Sequence, residues 1–151
     1  MSKPALIALA TITFVALLIG ALGVTSLATN TDVIDTPGLT AIPGAVAVAL
    51  CTAAFAVALR FALVPPHPSF VSAVWVGLAV VIAYVIGVWV AAIVTGTDVA
   101  VATSVLGRFV LGWPALIVGG SGVVTAWAAI AIARAGTSAP KWPWESASDE
   151  E

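Results

Sequence analysis

The 26 residues from Ser69 to Val94, SFVSAVWVGLAVVIAYVIGVWVAAIV, contain no charged side chain. As a helix rising ~1.5 Å per residue, this run covers ~39 Å, more than the ~30 Å hydrocarbon core of a bilayer. Its only polar groups are two serines, one tyrosine and two indoles. A helix apolar on every side has no stripe suited to water, so it belongs in lipid.

Three further runs follow the same logic. The sequence predicts an all-α polytopic membrane protein, a four-helix bundle with spans near 4–28, 39–63, 69–95 and 105–133. The chain is 62% apolar and 8% charged, against ~25% charged in a soluble domain. Its 151 residues accommodate four spans and short loops, which leaves no length for a separate soluble domain. The expected division is a transmembrane domain over 1–134 and a tail over 135–151 (RAGTSAPKWPWESASDEE counted from Arg134), polar, acidic at its end and expected to be disordered. The net charge of −2 includes no basic patch able to neutralise several phosphates, so nucleic acid is not an expected partner. The lipid bilayer is.

Punctuation along the chain sets the span limits. Ser26-Leu27-Ala28 resembles a small-x-small cleavage site, which makes a cleaved signal peptide the alternative for the first run. Its apolar stretch is longer than the usual ~7–15-residue signal core, which favours a span. Asp32, Asp35 and Pro37-Gly38 mark a first loop, and Pro43 falls in the opening turns of the second span, where a missing N–H costs little. Pro65, Pro66 and Pro68 end the second span, and Ser69 is placed to cap the third. Thr95-Gly96-Thr97-Asp98 ends the third. The register of the fourth span is expected to begin before Arg108, so that Pro114 kinks it. T-x-T-D-V occurs at both Thr29–Val33 and Thr95–Val99; spacing to later landmarks does not repeat, and coincidence accounts for it in so biased a composition.

Lys3, Arg60, Arg134 and Lys141 fall on one side of this topology, while Asp32, Asp35 and Asp98 occupy the other, with Arg108 the exception. The positive-inside rule then places both termini in the cytoplasm.

The span cores contain no Asp, Glu, Lys, Arg or His. Proton relays, coupled transporters and voltage sensors mark their paths with such groups. No Ser/His/Asp set, no H-E-x-x-H motif and no Gly-rich loop followed by Lys occurs either. The chain is therefore expected not to be an enzyme, with no catalytic, metal or cofactor residues. Cys51, the single cysteine, reads as a small buried hydrophobe rather than a reactive thiol. His67, the single histidine, reads as a solvated turn residue. Arg108 is the candidate interfacial residue: an anchor that snorkels or pairs with a loop aspartate, or else a binding group.

Small residues recur every fourth position: Ala79, Ala83, Gly87 and Ala91 in the third span, and Ala41, Ala45, Ala49 and Ala53 in the second. The fourth has Ala115/Gly119 and Gly122/Ala126, the first Ala16/Gly20. Such stripes let helices approach closely in lipid, where van der Waals contact drives association. They are read as packing within the bundle, with homo-oligomerisation as the alternative. Trp75, Trp113 and Trp127 fit interfacial belts. Trp142 and Trp144 lie in Lys-Trp-Pro-Trp-Glu, either an interfacial anchor or, with the acidic end, a docking peptide for a partner.

The Asp-bearing loop TDVIDTPG, Leu-Arg-Phe-Ala-Leu at 59–63, Leu-Gly-Trp-Pro-Ala at 111–115 and the closing Lys-Trp-Pro-Trp-Glu together resemble a family of uncharacterised four-span membrane proteins from high-GC actinobacteria. The resemblance implies a bacterial inner membrane and four helices, and no activity. The function expected is that of a non-catalytic accessory or structural subunit acting through helix packing, with a membrane-protein partner. The alternative is a small channel or carrier for a neutral or lipidic solute, with a cavity lined by Thr11, Thr13, Thr52, Tyr84, Ser121 and Thr125.

Overall fold

A computed structural model describes residues 2–29, 42–65, 67–94 and 112–135, with single positions at 96, 100, 103, 107 and 110. Four long helices carry the fold: α1 (Lys3–Thr29), α2 (Ile42–Ala62), α3 (Val71–Val94) and α4 (Trp113–Ala135). Each is long and apolar enough to cross a membrane, and the all-α four-span expectation is borne out. The loop aspartates Asp32, Asp35 and Asp98, together with Arg108, Lys141, Trp142, Trp144 and Ala41, lie outside the described residues, as do the two T-x-T-D-V segments in most of their length.

Local chemistry explains the ends. The last turn of α2 closes with Leu63 N–H on the Leu59 carbonyl at 3.0 Å, and Pro65 cannot extend it. The Ser69 hydroxyl accepts from the Val71 amide at 3.3 Å, satisfying one of the donors that the start of α3 leaves open. At the other end of α3, Gly96 takes a left-handed φ of 85° and donates to the Ile93 carbonyl at 3.0 Å, the conformation in which glycine stops a helix. The fourth helix differs from expectation. Ala100, Thr103, Gly107 and Val110 are helical, as expected of a register that begins before Arg108, but the chain bends at Gly112 and α4 starts at Trp113. Pro114 therefore sits in a first turn, where its fixed φ suits the helix and no intrahelical bond is lost, rather than kinking a continuous helix.

The helices alternate in direction and form a ring: α2 packs on α3, α3 on α4, and α1 closes the circle against α4 and α2. Every helix buries a row of residues four apart. These rows are Leu6/Ala10/Phe14/Leu18/Leu22, Ala47/Cys51/Phe55/Leu59/Leu63, Val76/Val80/Tyr84/Val88/Ala92 and Pro114/Val118/Gly122/Ala126/Ile130. A row at this spacing forms one continuous ridge on a helix surface, able to seat in the groove of a neighbour.

Two kinds of contact hold the ring. On α3 the contacts are made by glycine. A Cβ at Gly87 would lie 2.8 Å from the Ala47 Cα of α2, and one at Gly122 would lie 3.2 Å from the Gly77 Cα of α3. Helix backbones touch there, which maximises dispersion contact where lipid offers no hydrophobic drive. On α1 the contacts are made by bulk. Phe14 and Phe55 stack with centroids 4.5 Å apart and planes 7° from parallel, and both are fully buried. Large side chains hold α1 away from its neighbours, and cavities flank it on both sides.

Candidate functional site

The middle of the bundle is closed. Phe14, Leu18, Cys51, Phe55, Leu59, Val80 and Val118 are each 0% exposed. Three of the hydroxyls that the sequence suggests for a solute path answer to their own helices. Thr11 donates to the Ile7 carbonyl at 2.8 Å, Thr13 to Leu9 at 3.0 Å and Thr52 to Val48 at 2.7 Å. Bonding to the carbonyl four residues back is how a threonine hides its hydroxyl in an apolar medium. Thr11 borders a cleft between α1 and α2, whereas Thr13 and Thr125 border a smaller one between α1 and α4.

Thr125 is the exception. Its Oγ1 is buried without a hydrogen-bond partner among the described residues, a condition that costs about 1–3 kcal/mol. Thr125→Val keeps the branched shape and removes the orphan. It is expected to raise unfolding stability by about 1 kcal/mol, read as a higher SDS midpoint in mixed micelles.

The small-residue stripes divide. On α4, Gly122 and Ala126 are buried and Gly119 half-buried; on α3, Gly87 and Ala91 are buried while Ala79 and Ala83 are half-buried. Ala45, Ala49 and Ala53 on α2 and Ala16 and Gly20 on α1 face outward, which corrects their expected place inside the bundle. They lie two positions out of phase with the buried rows, and two residues at ~100° each is more than half a turn. Gly77 was missed: its Cβ would strike the Val123 side chain and come within 3.0 Å of the Gly119 carbonyl. Its signal was present, since glycine inside a helix costs about 1 kcal/mol relative to alanine and is retained where backbones meet.

The charged side chains among the described residues, Lys3, Arg60 and Arg134, share one end of the bundle. Lys3 Nζ donates to the Leu63 carbonyl at 3.1 Å, tying the start of α1 to the end of α2. The Arg134 guanidinium lies 4.7 Å from the centroid of the Phe70 ring, which in turn meets Trp127 at 5.8 Å. Trp75 and Trp127 point outward, and Trp113 packs half-buried against the core. His67 is exposed in the turn after α2. Among the described residues, no group of three or more His, Cys, Asp or Glu gathers to hold a metal.

Four apolar helices closed into a ring, with the charged side chains among the described residues at one end, define a four-span integral membrane protein. The chain belongs to the family of unknown function DUF6121, whose profile matches residues 3–151. No curated protein and no solved structure matches it.

Proposed function

We propose that the protein is a non-catalytic accessory subunit of a bacterial inner-membrane assembly, joined to its partner through outward helix faces. The closed centre carries this reading: the interior is filled by stacked aromatics and aliphatic side chains, and the hydroxyls of Thr11, Thr13 and Thr52 are bonded to their own helix backbones. Among the described residues, Ser121, Thr125 and Tyr84 are the polar side chains buried there, and they stand within packed rows rather than around an open path. The outward alanines Ala45, Ala49 and Ala53 support the packing role, because small side chains on a lipid-facing surface let another helix approach closely. Both termini are assigned to the cytoplasm, on the strength of Lys3, Arg60 and Arg134 at one end and the positive-inside rule.

Purification of a tagged full-length copy from its native membrane in mild detergent tests the role. A stoichiometric protein partner supports it; a homo-oligomer free of other proteins overturns it. Ala49→Trp, on the outer face of α2, is expected to lower partner recovery roughly tenfold, corresponding to ~1.4 kcal/mol of lost contact, while helicity and monomer stability stay unchanged.

A carrier for a lipidic solute is the second reading, favoured by the cavities on either side of α1. Its path would run beside α1 rather than through the bundle centre.

A further inference from the structure

The cleft between α1 and α2 has a volume of about 900 Å³ and a lining that changes along its length. Ile7, Ala8, Ile12, Ala56 and Val57 make it apolar, and Lys3 and Arg60 stand at the basic end. On α1 the lining runs from Lys3 to Ile12, a rise of about 14 Å. That is close to half of the ~30 Å hydrocarbon thickness, the depth of one leaflet. The cleft therefore begins with cations at headgroup level and continues as an apolar channel to about the midplane.

From this geometry we infer that the α1–α2 cleft is a binding site for an anionic phospholipid, with an acyl chain in the apolar channel and the phosphate between Lys3 and Arg60. Charge complementarity selects the occupant. Lys3 gives one of its three N–H donors to Leu63, which leaves donors for a phosphate, and the five donors of Arg60 form a fork suited to phosphate oxygens. A zwitterionic lipid would bring its own cation against these two. The cleft also has a structural origin, since the bulky rows of α1 and α2 keep these helices from the backbone contact that glycine gives α3. A lipid chain supplies the dispersion contacts that the protein does not make there.

The full-length protein, carrying a photoreactive residue in place of Val57, is reconstituted in vesicles with equal phosphatidylglycerol and phosphatidylcholine, and the adducts are identified by mass. The expected product is a phosphatidylglycerol adduct enriched about 25-fold over phosphatidylcholine, at roughly a fivefold preference for each of the two cations. Arg60→Gln, with helicity preserved, is expected to lower that enrichment about fivefold. Ala56→Phe should block the channel and abolish the adduct while leaving the charges in place. Equal labelling of the two lipids overturns the proposal, as does an adduct to residues 136–151 or to a second copy of the chain. Loss of the lipid adduct on adding inorganic phosphate alone would make the site one for free anions and would also overturn it.

Discussion

Gly77→Leu should separate α3 from α4 and cost at least about 3 kcal/mol of bundle stability, the upper range for overpacking. A Cβ at this position already strikes Val123, whose branched side chain has few rotamers to escape into, and comes within 3.0 Å of the Gly119 carbonyl. Backbone cannot yield as a flexible side chain can, so the helices must move apart, and the Gly122 contact with Gly77 is lost with them. Gly120→Leu is the matched control. A Cβ at Gly120 meets nothing within 4 Å, so the substitution is expected to be neutral, or to stabilise by up to about 1 kcal/mol through helix propensity. SDS titration of both variants in mixed micelles reads the contrast. Equal midpoints would show that the glycine contact does not hold the α3–α4 interface.

Phe14→Ala should show the second largest loss, for a different reason. In water most of its cost would be lost hydrophobic transfer, but here the separated helices remain in lipid, and that contribution largely vanishes. What remains is the cavity: ~24 cal/mol per Å³ over the ~100 Å³ of side chain removed gives about 2.4 kcal/mol. The partner ring of Phe55 loses its stacking face at the same time. Phe14→Leu, which refills most of the space, should restore more than half of the loss in the same titration.

These two positions mark the limit of what the sequence discloses. Helix number, type and approximate ends are legible because ~20 uncharged residues in a row leave a chain no other way to satisfy its backbone in lipid. The Ser69 cap, the proline stop at Pro65 and the Gly96 terminator are equally legible, since each rests on local chemistry. The facing of each helix is not. In a soluble bundle the polar side marks the outside, whereas here every side is apolar and the small-residue stripes have to serve instead. On α4 the stripe residues Gly122 and Ala126 are buried, whereas on α1 and α2 the stripes face outward. There the inward row is led by Phe14, Leu18, Phe55 and Leu59. Large side chains meeting other large side chains fill a core as well as glycine meeting backbone does, and spacing alone does not separate the two solutions. Fold and most helix ends followed from composition and turn chemistry, the start of α4 at Trp113 being the exception. The α1–α2 cleft was hidden because it depends on which face each helix turns to the other.

Cys51 offers the most direct test of a closed interior. It is the single cysteine of the chain and lies fully buried in the central row of α2, so any water-filled route through the bundle would pass beside it. The measurement is the rate at which a charged, water-soluble methanethiosulfonate modifies the full-length protein in vesicles, against the same protein denatured in SDS. A packed, non-conducting bundle predicts full labelling of the denatured control and none of the native protein from either side. Native labelling at a rate approaching that of the control would place water at the centre of the bundle and contradict the account.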